Sequence, residues 1–145
     1  MNDRFFLDTN ILVYSLDRSE PAKRARANQL IRSAIESGKG IVSYQVVQEF
    51  VNVGLRRFAS PFTSDEAERY LTTVLRPLLA VHSSYSLFIR ALQLNRHDSL
   101  SWYDALIVGA ALESGCGVLY SEDLQNGREF GKLKVVNPFA QQTRR

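Results

Sequence analysis

Short apolar stretches of strand length alternate with longer amphipathic segments along this chain. That alternation predicts a single α/β domain built on a mostly parallel sheet with right-handed crossovers. Two further observations agree. Phe5-Phe6-Leu7 is apolar on successive positions, as a strand covered on both faces must be. Two such stretches also end in acids, Asp8 directly after the first and Asp123 shortly after Gly117-Val118-Leu119-Tyr120. The carboxyl ends of parallel strands are where open α/β sheets bind their ligands.

The elements follow in order. A short helix is expected from Asn10 to Leu16, for which Asp8 also suits the capping position. Ser19-Glu20-Pro21 opens a second helix, since proline is well tolerated at a first helical position. Ala27, Leu30, Ile31, Ala34 and Ile35 give it one apolar face, and Gly38 stops it. Gly40 to Ser43 reads as a second strand and Tyr44 to Arg57 as a third helix, apolar at Val46, Val47, Phe50, Val51 and Leu55. Ala59 to Phe62 is a loop. Thr63 with Glu66 resembles a capping box, and the helix it starts should end before Pro77. Leu78 to Val81 gives a third strand, Ser84 to Arg96 a further helix, and Asn95 to Ser101 a polar loop. The run from Ala105 to Leu112 is apolar nearly all round, hence a buried helix. Gly115 ends it, Gly117 to Tyr120 is a fourth strand and Leu133 to Val136 a fifth. The tail over 137–145 is expected to be loose, and no repeat or linker divides the chain.

Composition excludes several classes. With 145 residues, 45% hydrophobic and 23% charged, the chain can bury a sizeable core and is not disordered. No apolar run approaches the roughly 20 residues of a membrane helix, and the start carries no signal-peptide pattern. Cys116 is alone and suits a reducing cytoplasm, read as a small residue near a strand. The 14 Arg and 4 Lys against 15 acids leave only +3, too mild to identify a nucleic-acid partner. The preference for Arg, whose fork matches phosphate oxygens, is more suggestive. Arg24, Arg26, Arg32, Arg56 and Arg57 are the candidate phosphate contacts.

Four acids stand where a purely structural chain rarely puts them. Asp8 and Asp123 follow strands, Asp104 lies in the first turn of the most apolar helix, and Glu49 precedes Phe50-Val51. Each has a structural alternative. Ser101-x-x-Asp104 fits a capping box, Asp123 can cap a turn after Ser121, and Glu49 can be a solvated helix glutamate. Converging carboxylates repel one another, and a divalent cation is the usual remedy. His82 and His97 have no evident partner and read as surface or structural residues.

Taken together, Phe6-Leu7-Asp8-Thr9-Asn10, Glu49 after Gln45 and Val46, Ser101-Trp102-Tyr103-Asp104-Ala105 and Ser121-Glu122-Asp123-Leu124 resemble a known pattern. The chain is similar to PIN-domain proteins, specifically the VapC-type toxin ribonucleases of toxin–antitoxin systems. The resemblance covers nearly the whole chain. It implies a three-layer α/β/α sandwich with a five-stranded parallel sheet of order 3-2-1-4-5. It also implies that Asp8, Glu49, Asp104 and Asp123 hold Mg2+ or Mn2+, supported by Asn10 and Ser121, and that the substrate is RNA. Glu122 receives no role. The partners it implies are an antitoxin that covers the acidic pocket, often by offering an Arg, and a second copy in a homodimer. Tyr44, Phe50, Phe58, Phe62 and Tyr70 are the aromatic residues available for an association patch, with core burial as their alternative. Setting the four acids aside raises the net charge from +3 to +7 on the remaining surface. A basic shell around an acidic metal pocket suits a polyanion cut at one phosphate.

Two other readings stand beside this one. A phosphatase of the haloacid dehalogenase type also begins with an apolar strand and an acid. It needs a second Asp two residues on, where this chain has Asn10. A non-catalytic PIN-like module that binds RNA or protein is the alternative from a different class, and an incomplete acid set would favour it.

Overall fold

Phe5 to Leu7 form the central strand, and the sheet grows outward from it on both sides. A computed structural model describes residues 3–56, 58 and 60–140. Strand β1 (Phe5–Leu7) pairs in parallel with β2 (Gly40–Ser43), Phe6 facing Ile41, and with β4 (Val118–Tyr120), Phe6 facing Leu119. Strand β3 (Leu79–Val81) lies outside β2, and β6 (Leu133–Val136) lies outside β4, both in parallel. The two-residue β5 (Glu129–Phe130) adds an antiparallel edge on β6. Among the described residues the sheet therefore has six strands, ordered β3-β2-β1-β4-β6-β5, rather than the five expected. The parallel part keeps the expected order, and the extra strand is a hairpin turned at Gly131, whose φ of +60° suits glycine.

Helices connect the parallel strands. Helices α1 (Thr9–Tyr14) and α2 (Pro21–Ser37) lead from β1 to β2, and α3 (Tyr44–Arg56) follows β2 directly. Gly40 lets α2 approach the sheet, because a Cβ there would collide with the Ala34 side chain. Thr63 and Glu66 form the expected capping box at α4 (Ser64–Tyr70). The helical path does not stop before Pro77, however. It passes through a π-helical stretch, Leu71–Leu75, into the short α5 (Arg76–Leu78). Pro77 thus sits at the start of a new turn, where its missing N–H leaves no broken bond. Helix α6 (Tyr85–Asp98) runs two residues past Arg96. Asn95 Nδ2 donates to the Leu100 carbonyl at 2.7 Å, and Arg128 donates to the Asp98 carbonyl at 2.7 Å, satisfying one of the carbonyls left without a partner at the helix end. Helix α7 (Trp102–Glu113) is buried continuously from Ala105 to Ala111 and packs along α6.

The core centres on Phe6, Leu7, Ile11, Leu12, Val42, Val46 and Leu119. The aromatic residues considered for association mostly pack on one another instead. Phe50 is 1% exposed and stacks on Tyr70 at 4.6 Å, with Phe58 and Phe62 edge-on or tilted around it. Of the exposed large apolar side chains, four form a row along α6, Tyr85, Phe88, Ile89 and Leu92. Phe139, within the expected tail, rests edge-on against Tyr14 at 5.0 Å. Among the described residues no helix is long and apolar enough to cross a membrane.

Candidate active site

Parallel pairing fixes where the first acid stands. The Asp8 N–H donates to the Tyr120 carbonyl at 3.0 Å, which carries the β1–β4 ladder one step past both strands. Asp8 and Ser121 consequently meet at the carboxyl edge of the sheet, and Ser121 Oγ donates to Asp8 Oδ2 at 2.8 Å. The same hydroxyl accepts the backbone N–H of Asp123 at 3.2 Å, folding the chain after β4 back toward β1. Asn10 closes the turn from the other side. Its Nδ2 donates to Asp123 Oδ2 at 3.1 Å and its Oδ1 accepts the Glu122 N–H at 3.2 Å.

Glu49 is brought in by two residues that sequence reasoning assigned no role. Thr9 Oγ1 donates to Glu49 Oε1 at 2.6 Å, while the Thr9 N–H donates to Asp8 Oδ1 at 2.7 Å, so one residue spans both acids. Gln45 lies one helical turn before Glu49, and its Nε2 donates to Glu49 Oε2 and to the Tyr103 carbonyl, each at 3.3 Å. The four-residue spacing of Gln45 and Glu49 on α3 was the available signal. Through Tyr103 the same amide ties α3 to the first turn of α7, where Asp104 sits half-buried. Ser101 accepts the Asp104 N–H at 3.2 Å, but Asp104 does not return the bond as a full capping box would.

Electrostatics show which acids share one neighbourhood. The Asp8 carboxyl is pushed up to about 6, first by burial and then by the charges of Asp123 and Glu49. The hydrogen bonds from Ser121 and Thr9 pull in the opposite direction and do not win. Asp8, Glu49 and Asp123 therefore share one neighbourhood, whereas the Asp104 carboxylate has no bond to them among the described residues; only the backbone of its neighbour Tyr103 is tied to Gln45. Glu122 turns the other way. It accepts from Tyr14 at 2.6 Å and pairs with Lys23 at 2.7 Å. Burial would raise its carboxyl, but these two partners outweigh that and hold it below the ordinary glutamate value. Neighbouring acids in the sequence thus have separate environments. His82 and His97 are exposed.

The donors available to a metal are hard carboxylate oxygens, which suit Mg2+ or Mn2+ rather than a soft ion. Two buried polar atoms, Oε1 of the Gln45 that bonds Glu49 and Ser43 Oγ at the end of β2, have no hydrogen-bond partner among the described residues. In donor chemistry the site fits a divalent cation. Among the described residues no three acidic, imidazole or thiol groups already stand as a ready-made cage. The acids are instead held by Thr9, Asn10, Gln45 and Ser121.

Comparisons with known proteins extend this picture. The fold is similar to a toxin–antitoxin complex from Klebsiella pneumoniae, with TM-score 0.64, 20% identity, and 92% of this chain and 97% of that chain covered. It is similar to FitAB bound to an IR36 DNA fragment, with TM-score 0.67, 15% identity and coverage of 97% and 99%. It is also similar to Mycobacterium tuberculosis VapC20, a Sarcin-Ricin loop cleaving toxin, with TM-score 0.58, 21% identity and coverage of 82% and 89%. No curated protein sequence matches. The PIN domain model matches residues 5–128, which takes in β1 with Asp8, Glu49 on α3, Asp104 on α7 and Asp123 after β4. The match takes in every helix and four of the six described strands, ending just before β5 and β6, and the chain belongs to the PIN domain family.

Proposed function

We propose that this protein is a metal-dependent endoribonuclease and the toxin of a toxin–antitoxin pair. The observation that carries the reading is the crowding of Asp8, a buried carboxylate raised to about 6 with the charges of Asp123 and Glu49 upon it. Such a cluster gains most from a divalent cation. Asp8, Glu49, Asp104 and Asp123 would hold Mg2+ or Mn2+. When bound, that ion supplies an activated water and offsets charge growing on the scissile phosphate. The chain's own residues do the positioning. Ser121 and the Thr9 N–H fix both oxygens of Asp8, Thr9 and Gln45 fix Glu49, and Asn10 fixes Asp123. Carboxylates held in this way need little reorganisation when substrate arrives. Family membership supports nuclease chemistry, and the toxins among the structural neighbours support the biological role.

The partners follow from the same reading. A groove of about 660 Å³, lined by Val13, Val53, Phe58 and Phe62 and by Arg18 and Arg24 against the single acid Asp17, suits an apolar antitoxin segment carrying acids. The exposed row on α6 supports a homodimer. A cytoplasmic setting suits the single, buried Cys116.

Incubating purified protein with RNA and either Mg2+, Mn2+ or EDTA tests the proposal. Cleavage is expected with an ion, and is expected to vanish with EDTA and in Asp8→Asn or Asp104→Asn while circular dichroism stays that of wild type. Full cleavage by both variants would sink the metal-dependent reading. Because no ready-made cage stands among the described residues, the second reading is a non-catalytic module. Its signature is RNA or antitoxin binding with no cleavage under either ion.

A further inference from the structure

The first turn of α7 carries an exposed aromatic residue that neither the core nor the acid cluster uses. Tyr103 precedes Asp104 and is 65% exposed, although the helix behind it is buried from Ala105 to Ala111. Its base is rigid. Ser101 caps the helix, Trp102 is half-buried with its ring 6.3 Å from that of Phe88, and the Tyr103 carbonyl accepts the Gln45 amide. Gln45 is the residue that also holds Glu49, so the ring of Tyr103 starts from a backbone bonded into the acid site. Tyr44, the residue before Gln45, is half-buried. Burial pushes its phenol up, and the charge of the Tyr103 phenol adds to the shift. Exposure alone would not single out Tyr103, since Tyr85 is 80% exposed on α6. Tyr85 has no bond to the site.

We propose that Tyr103, flanked by Tyr44, is a nucleobase-stacking subsite that holds an unstacked base beside the cleaved phosphate of single-stranded RNA. The inference rests on the ribonuclease reading and deepens it. An acid cluster can bind a metal and a phosphate but cannot hold a base. A flat ring with only two side-chain torsions to order can, at small entropic cost and with any of the four bases. Double-stranded RNA keeps its bases stacked and offers such a ring nothing.

The test uses an oligoribonucleotide that the wild-type protein cuts, with binding measured by anisotropy in the Asp8→Asn background so that the strand stays intact. Tyr103→Ala is expected to weaken binding roughly 5- to 150-fold, and Tyr103→Phe to keep it. Replacing the base beside the cut with an abasic residue should cost a similar factor in the Tyr103 protein and nothing further in Tyr103→Ala. Equal affinity in Tyr103→Ala, or an abasic cost that persists there in full, overturns the subsite. If Tyr103→Ala leaves RNA affinity intact but lowers the molar mass by light scattering, the ring belongs to a protein interface and the proposal falls. The two readings fail separately. Wild-type cleavage with an unaffected Tyr103→Ala removes only the stacking subsite, whereas no cleavage and no RNA binding by wild type removes both. Emission from Trp102, the chain's single tryptophan, reports whether each variant keeps the native first turn of α7.

Discussion

Asp8 uses its two oxygens for different tasks. Oδ1 caps α1 by accepting the Thr9 N–H, and Oδ2 accepts the Ser121 hydroxyl. Both bonds favour the charged form, yet burial and the acids nearby win, and the group titrates near 6 instead of 3.8. The sign of the resulting pH effect follows. Between about 4 and 6 the folded protein holds a proton that the unfolded chain has released, so this group's contribution to stability is lost as pH rises through that window. The whole effect is on the order of 2–3 kcal/mol. In EDTA, the melting temperature of wild type relative to Asp8→Asn should therefore fall from pH 4.5 to 7, and saturating Mg2+ should abolish the difference in slope. The comparison with Asp8→Asn matters because Glu122, Asp17 and Glu66 are shifted down and pull the other way. A constant difference across that range would show that Asp8 is not crowded. At this scale the sequence was partly legible. Strand ends identified Asp8 and Asp123, but three consecutive polar residues, Ser121-Glu122-Asp123, look alike until a turn separates them. Thr9 was hidden because a threonine after a cap residue has an ordinary explanation.

Among the elements, α3 and α4 meet through rings. Phe50, Phe58, Phe62 and Tyr70 surround one another, and the Tyr70 phenol is pushed up to about 12 by burial. Phe50→Ala should cost about 3–5 kcal/mol in urea denaturation, the range for removing a fully buried ring. A cost under 1 kcal/mol would mean that the cluster collapses freely. Gly54 belongs to the same contact, because a Cβ there would meet the Phe62 ring at 2.8 Å. The parallel strands were readable because each is a short apolar run with a helix behind it. Strand β5 was not, since two residues carry no period, and only the reversal at Gly131 sets Phe130 against Leu133. The path through Pro77 was misjudged for a related reason. A proline forbids continuation of one hydrogen-bond ladder, but the π-helical stretch had already ended that ladder.

For the whole molecule, charge is distributed so that acids gather at one sheet edge and arginines lie over the helices. Arg24, Arg32 and Arg56 are exposed, Arg26 donates to Gln29, and Arg57 lies outside the described residues. Neutralising true phosphate contacts among them should reduce the slope of log affinity against log salt by roughly 0.7 per contact for single strands. An unchanged slope in Arg24→Ala/Arg32→Ala/Arg56→Ala would put the RNA path elsewhere. The acid edge has a separate consequence during synthesis. Its closing bonds join Asp8 to Ser121 and Asn10 to Asp123, each across 113 residues of chain. Such long-range closure comes late in folding, and a chain emerging from the ribosome at about 5–20 residues per second lacks these partners until Ser121 and Asp123 are out. On the ribonuclease reading proposed above, a growing chain that still lacks Ser121 and Asp123 cannot close this pocket. Expression of a chain stopped before Ser121 should leave growth unaffected in cells that the full-length protein arrests. Arrest by that shorter chain would show that the pocket forms without its last acid.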